Sequence, residues 1–487
     1  MKYEINAKQG KEYDVVVCGA GTAGVVAAMA AGRRGAKVLL IERSFHVGGM
    51  LTEGNAGITK FTDHCKDPEQ YKKEVLDVLA TDPKSVQVAG GIAHEICMRL
   101  IGLDGGTPTN GDCGSYIFSE RYTFENLLLQ MLKEANVEVL YDSRVCVVDM
   151  DGDTLKKIVV ANKEGFVEYS AKCFIDCTGD ADVAALSGVE WYYGANERDV
   201  EECDGKITVG NAQPMGVMYR VEGIDFEALF DYLETNPGFA MQSAALMDFE
   251  YIKESYKKGD MCCFNLLITN PDPESAKRWP QTCVQIYITP TQTGAILLSY
   301  GPTHNAFSGN GLEADTLSTA QNLMVAGALE ITDILRREYP IGFKNAKVTH
   351  VPDIGVRETR HIIGKYIMTA NDILTCRDFE DSIGCGGHHI DSNVANEDMK
   401  NTKMHHWRFH VPYRVMLPEK VKNLLVAGRA ISATKLASGA LRVTVCCMEM
   451  GEAAGVAASL CVRDNLFPDE INVKELQQIL VDNGAVI

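Results

Sequence analysis

The chain of 487 residues, 46% hydrophobic and 23% charged, has the composition of a folded globular protein and too much length for a single core. Its 47 Lys and Arg against 66 Asp and Glu leave a net charge of -19, which repels phosphate backbones and anionic lipid surfaces and argues against nucleic-acid or membrane partners. Its 16 cysteines include no C-x-x-C spacing, and Cys262-Cys263 and Cys446-Cys447 are adjacent pairs unsuited to ordinary disulfides, so reduced, buried thiols and no metal site are expected.

Met1 to Glu12 carry charge but no apolar h-region, so no secretory signal is read there and a cytoplasmic location is expected. Asp14 to Cys18 is an apolar, β-branched run that reads as a buried strand and stops at Gly19-Ala20-Gly21-Thr22-Ala23-Gly24. Between a strand and a helix, this G-x-G-x-x-G has a mechanical reading. Gly19 makes the tight turn, Gly21 leaves the backbone open to a pyrophosphate, and Gly24 lets the helix pack close to the strand. The Ala-rich helix Ala23 to Arg34 turns its free N–H groups and positive dipole end toward the phosphates. A second strand, Lys37 to Ile41, ends in Glu42 and Arg43, and the acid can accept hydrogen bonds from ribose hydroxyls. The paired Gly48-Gly49 then permits the backbone to pass close beside a large flat ligand.

Helices are expected over Tyr71 to Leu79, Gly91 to Leu100 and Thr123 to Glu134, and strands over Val137 to Leu140 and Ser143 to Met150. Leu155 to Ala161 and Gly165 to Ser170 read as a small antiparallel excursion with Asp151-Gly152-Asp153 as a turn. The next strand, from Cys173, runs into Thr178-Gly179-Asp180, whose glycine lets the backbone close on a ligand. Between Gly188 and Thr349 the strand–helix alternation gives way to short strands (Met215 to Val221, Thr282 to Thr289, Ala295 to Ser299) and helices (Phe226 to Leu233, Leu312 to Glu338). This reads as an inserted mixed α+β substrate domain, dividing the chain into residues 1–187, 188–349 and 350–487.

Six of the 11 histidines lie from His361 to His410, alongside Arg357, Arg360 and Arg414. In so acidic a chain, a positive island in a glycine-rich segment reads as an active-site wall. Arg357 or Arg414 would hold an anionic or carbonyl oxygen and His388 would exchange a proton. Arg360 would either join them or pair with Glu358 or Asp353. Near the end, Asn423 to Val426 is a strand running into Gly428-Arg429, and Arg442-Val443 opens a small-residue helix through Gly451 and Gly455.

Four pieces in order, Gly19 to Gly24 with Glu42, Gly48-Gly49, Thr178-Gly179-Asp180 and the closing strand and helix, together resemble the FAD-binding fold of the glutathione-reductase type. Arg357-Glu358-Thr359-Arg360, His410-Val411-Pro412-Tyr413-Arg414 and Val426 to Thr434 are similar to stretches of the bacterial FAD_oxidored family, related in fold to the fumarate reductase flavoprotein group. The resemblance implies an α/β architecture: a Rossmann-like FAD-binding domain with a parallel sheet, carrying the insertion. It implies noncovalent FAD contacting Gly19, Gly21, Thr22, Ala23, Gly24, Glu42, Arg43, Gly48 and Gly49, with Val145 near the adenine. Thr178, Gly179 and Asp180 supply the second contact. Gly428, Arg429, Arg442 and Val443 would meet the pyrimidine end of the isoalloxazine, where a helix dipole stabilises the negative charge of the reduced ring. Where the family often carries an aromatic residue, this chain has Gly386-Gly387-His388-His389. The implied activity is hydride transfer between flavin N5 and a small polar organic substrate, with an unidentified electron donor or acceptor. The alternative is a flavoprotein subunit that passes electrons only when docked on a partner protein.

Overall fold

The computed structural model describes residues 6–59, 88–101, 103, 107–108, 116–118, 120–236, 240–241, 249–258, 263–271, 273–277, 280–289, 294–300, 307–392 and 408–487. The helix expected over Tyr71 to Leu79 lies outside them.

Lys8–Cys18 forms β1, Thr22–Arg33 α1 and Val38–Ile41 β2, with β2 parallel to β1 from Val15 opposite Val38 to Cys18 opposite Ile41. Apolar residues on both faces of these strands are buried, as an interior parallel sheet requires. Helices α2 (Gly91–Ile101) and α3 (Arg121–Glu134) lead to β3 (Glu138–Leu140), which pairs in parallel on the outer side of β2. The antiparallel excursion follows: β4 (Arg144–Asp151) and β5 (Thr154–Asn162) join through a turn in which Gly152 takes φ 58°. The two strands expected at Gly165 to Ser170 and from Cys173 are one 12-residue strand, β6 (Gly165–Asp176), because Ala171 and Lys172 between them offer no turn chemistry. The early part of β6 pairs with β5, and its last residues lie parallel to β1 in the core.

The next elements are β7 (Trp191–Tyr193), β8 (Tyr219–Glu222), α4 (Phe226–Thr235), β9 (Ala240–Met241), β10 (Cys263–Thr269), β11 (Gln281–Ile288), β12 (Gly294–Tyr300), α5 (Ala314–Glu338) and β13 (Lys347–His350). Six of these strands make an antiparallel sheet in the order β9-β10-β11-β12-β8-β13. Phe226 and Phe230 of α4 and Ile331 and Leu335 of α5 share a hydrophobic cluster with Leu266, Ile286 and Leu297 of that sheet. The strand expected from Met215 begins only at Tyr219. Met215 and Gly216 instead make single bridges to Phe307 and Gly355 and tie this sheet to the next segment.

The chain then returns: β14 (Arg360–Ile362) pairs with β7, and β15 (Ser382–Gly386) with β16 (Phe409–Pro412). β17 (Leu424–Val426) closes the parallel sheet on β6, giving β3-β2-β1-β6-β5-β4 with β17 added beside β6. Helix α6 (Lys435–Leu441) turns into α7 (Thr444–Asp464). Small residues set how closely α7 approaches α1. A Cβ on Gly451 would lie 2.3 Å from the Ala23 carbonyl oxygen, and one on Gly455 2.2 Å from that of Ala27. Among the described residues α7 is the one helix long and apolar enough to cross a bilayer, and 94% of that apolar window is buried inside the protein. It is a core helix by packing.

Candidate active site

The site begins at the glycine turn, where the three glycines differ in what they serve. Gly19 has φ +96°, and a Cβ there would stand 2.4 Å from the Cys177 carbonyl oxygen; one on Gly24 would stand 1.8 Å from that of Gly19. Both are demanded by the fold. Gly21 is not, since its φ of -73° suits any residue and a Cβ meets nothing within 4 Å. It is the N-cap of α1 and makes no side-chain cap, so the N–H groups of the first turn open onto that same space. Gly48 and Gly49, at φ 98° and 54°, fold back on the turn: Gly48 N donates to Ala20 O at 2.8 Å, and a Cβ on Gly49 would reach 3.0 Å from Gly21 Cα.

Gly451 of α7 touches Ala23 at the start of α1, and Gly455 touches Ala27, so the helices run in the same direction. Because α7 begins at Thr444, its N-terminus projects beyond that of α1 by about 10 Å, at 1.5 Å per residue. Its N-cap, Val443, also supplies no side-chain cap. Two uncapped helix N-termini, staggered along one direction, suit a long ligand with one anionic group in the middle and another developing at its end.

Glu42 sits beside the turn, its carboxylate accepting from Ala20 N at 2.8 Å and Ser44 N at 2.9 Å. Val145 is buried at the start of β4, and nearby Ser143 N donates to Glu42 O. Replacing Glu42 by Ala is expected to weaken FAD by about 1.5–3 kcal/mol, the range for hydrogen bonds to a charged group. Titrating apo-protein with FAD checks this, and unchanged affinity would assign the ribose elsewhere.

Thr178, Gly179 and Asp180 close over the far side. Asp176 is fully enclosed and accepts from Thr178 N, Thr178 Oγ1 and Ala184 N, which shapes the turn; burial pushes its carboxyl up to about 6. Arg429 Nη2 donates to Asp180 at 2.6 Å and Thr359 Oγ1 donates to it at 2.7 Å. Burial alone would raise the Asp180 carboxyl, but Arg429, Thr359 and the exposed Arg43 hold it below its usual value. Gly428, at φ 95°, brings this corner against Ala23.

A second polar cluster lies at the junction of α6 and α7. Past β15, the chain from Gly387 to Asp391 crosses this corner, and a Cβ on Gly439 of α6 would lie 2.8 Å from Asp391 O. Arg442 Nη2 donates to Asp391 Oδ2 at 2.7 Å and to Gln213 Oε1 at 3.2 Å, and its Nε is buried with no partner among the described residues. Partial burial disfavours the charge of Asp391, whose side chain is half-exposed, yet the positive charges of Arg442, His388, Arg357 and His389 hold its carboxyl well below the usual range. His388 and His389 stack with ring centroids 4.3 Å apart, and His388 Nδ1 lies 2.6 Å from the His389 carbonyl oxygen. That carbonyl can only accept, so Nδ1 carries the proton and Nε2 is the ring's exchangeable position.

Of the residues expected to form this wall, His388 and Arg357 act electrostatically on the Asp391 carboxylate. Arg360 is elsewhere: it donates to Asp180 O at 2.7 Å, pairs with Asp182 at 2.9 Å and lies over the Trp191 ring. Its partners are neither Glu358 nor Asp353. Arg414 is bound through Nε and Nη2 to Asp381 at 2.9 and 3.1 Å and lies over Tyr366, on a half-exposed surface. Neither is brought to the Asp391 cluster. His46 is engaged by Glu125, Nδ1 to Oε1 at 3.0 Å. Sequence reasoning missed Asp391 and Gln213, and it placed Arg442 only against the cofactor. The usable signal was that Arg442 sits between two helices, one ending and one starting.

A parallel sheet with a glycine turn against α1, and a second open helix N-terminus further out, define a dinucleotide-binding flavoprotein. The chain belongs to the FAD dependent oxidoreductase family, FAD_oxidored, whose model matches residues 14–480, and FAD is its cofactor. It is also similar to a 3-oxosteroid 1-dehydrogenase of Mycolicibacterium smegmatis, 43% identical over 49 residues, which cover 10% of this chain and 9% of that protein. Among solved structures it is similar to a geranylgeranyl bacteriochlorophyll reductase-like protein of Thermoplasma acidophilum (13% identity, 98% of this chain and 84% of that one, TM-score 0.44). Another is p-nitrophenol 4-monooxygenase of Pseudomonas putida (11% identity, 97% and 85%, TM-score 0.44).

Proposed function

We propose that this FAD-dependent oxidoreductase transfers a hydride between the flavin and a small polar organic substrate bound at the Asp391 cluster, with residues 188–349 forming the substrate-side domain. The observation that carries the reading is Arg442 bound to Asp391 at 2.7 Å beside the uncapped N-terminus of α7, with the charges of His388, Arg357 and His389 also acting on that carboxylate, in a chain of net charge -19. When bound, FAD supplies the two-electron chemistry at N5. The chain supplies everything else. The first turn of α1 from Gly21 to Gly24 holds the pyrophosphate, Glu42 the ribose, and the Thr178 to Asp180 turn with Arg429 encloses the middle of the cofactor.

At the far end, Arg442 and the α7 N-terminus stabilise the charge that reduction leaves on the pyrimidine edge. Arg357 binds an anionic or carbonyl oxygen of the substrate through its planar fork. His388 gives or takes a proton at Nε2.

The test compares Arg357→Lys and His388→Ala for flavin content and for the rate of anaerobic flavin bleaching across a panel of small organic acids, alcohols and amines. Both are expected to retain FAD and to slow bleaching, His388→Ala by roughly 10²–10⁴-fold, the range of general acid–base contributions. Arg414→Lys serves as a control, expected at the wild-type rate because its guanidinium is committed to Asp381. Wild-type rates in both test variants, with full flavin, would move the search to the antiparallel sheet.

A further inference from the structure

Glu358 is enclosed with no solvent contact, and so is its partner Lys435, an ion pair of 2.6 Å. Taking two charges out of water is costly, and such a pair is weak evidence of a stabilising purpose. What it touches suggests another. The Oε2 of Glu358 accepts from Lys435 Nζ and from Gln213 N at 2.7 Å, and Oε1 lies 3.1 Å from His361 Nε2. Burial raises the Glu358 carboxyl, but His361 and Lys435 more than offset it and hold it ionised.

Lys435 is the first residue of α6, whose C-cap is Arg442. Gln213, 4% exposed, reaches the other end of that helix. Its Oε1 accepts from Arg442 Nη2 at 3.2 Å, and its Nε2 donates to Asp391 O at 3.1 Å. One carboxylate therefore clamps α6 at both ends, directly through Lys435 and through Gln213 at Arg442. It is also the chain neighbour of Arg357.

We infer that Glu358 is a positioning residue: with Lys435 and Gln213 it sets where Arg442 and the α7 N-terminus stand, and so tunes the redox potential of the bound flavin. This rests on the reading of that corner as the flavin-facing one. Arg442 is positively charged, so holding it close favours the reduced, anionic ring, and releasing it should lower the midpoint potential.

The experiment measures the potential of FAD-loaded wild type, Arg442→Met, the double variant Glu358→Met with Lys435→Met, and Glu358→Asp. The double variant removes both members of the buried Glu358–Lys435 pair and fills a similar volume, which favours folding. Glu358→Asp keeps the charge but shortens its reach, and covers the case in which the double variant does not fold. Both Glu358 variants are expected to lower the potential in the same direction as Arg442→Met, by about 30 mV for each tenfold loss in preference for reduced flavin. A wild-type potential in folded, flavin-replete Glu358 variants, with a shift in Arg442→Met, would overturn the clamp and leave the proposed site standing. No shift in Arg442→Met would overturn the placement of that corner and the clamp together.

Discussion

Gly21→Val is expected to give a folded protein that is colourless. The backbone at Gly21 has φ -73° and ψ -167°, an extended conformation that a β-branched residue adopts readily, and its Cβ would meet no protein atom within 4 Å. Folding should therefore be nearly indifferent to the change. The valine methyls would stand in front of the first turn of α1, where the pyrophosphate needs to reach backbone N–H groups. Losing two or more charge-assisted hydrogen bonds of roughly 1.5–3 kcal/mol each lowers FAD affinity by roughly 10²-fold or more. Flavin absorbance per mole of protein reads the binding, and the thermal transition of the apo-forms reads the fold. A yellow variant with full flavin would remove Gly21 from the pyrophosphate site. Gly24→Val makes the contrast, because its Cβ would lie 1.8 Å from a backbone carbonyl and the protein should not fold.

The cofactor half was legible in the sequence because its signals are local. A buried β-branched strand, three glycines at fixed spacing, an Ala-rich helix and an acid at the end of the next strand lie within about thirty residues, and each constrains its neighbour. The structure adds a distinction that spacing does not contain: Gly19 and Gly24 answer to the protein's own backbone and Gly21 does not. The crossing of α1 and α7 was half legible. Gly451 and Gly455 have the four-residue spacing of one helix face, as do Ala23 and Ala27, but nothing local says that these two faces meet.

The substrate side was harder because charge clustered along a chain is not charge clustered in space. Arg357, Arg360 and Arg414 look alike by composition. Their destinations differ through residues far away in sequence: Arg360 is claimed by Asp180 and Asp182, and Arg414 by Asp381. Arg442 reaches the cluster through Gln213, 229 residues earlier, and Lys435 meets Glu358, 77 residues earlier. Such pairings follow from how the sheets and α6 pack, and no periodicity announces them.

Glu452→Gln is expected to stabilise the protein at alkaline pH and to flatten the fall of stability from pH 5 to pH 8. Glu452 is 3% exposed in the middle of α7, and its Oε2 accepts the Ile92 N–H at 2.8 Å near the start of α2. Burial pushes its carboxyl from 4.5 up to about 7, and the hydrogen bonds from Ile92 and Asn483 only partly oppose this. Glu449, one turn earlier, is also raised, first by burial and then by Glu452, and the Cys385 backbone only partly opposes this. A carboxyl whose folded value is raised binds more protons in the native than in the unfolded state. Its contribution is therefore present at pH 4.5 and below, and is lost as pH climbs through about 7. The difference is worth about 3 kcal/mol at ~1.4 kcal/mol per pH unit. Glutamine keeps the acceptor for Ile92 and has no proton to lose. With FAD held saturating, denaturant unfolding of wild type and variant at pH 5 and pH 8 reads Glu452 together with the share of the Glu449 shift that Glu452 causes, because groups that do not interact with Glu452 cancel in the comparison. The variant should gain roughly 2–3 kcal/mol on the wild type between the two pH values. An equal difference at both would mean that Glu452 is already ionised in the native protein at pH 5.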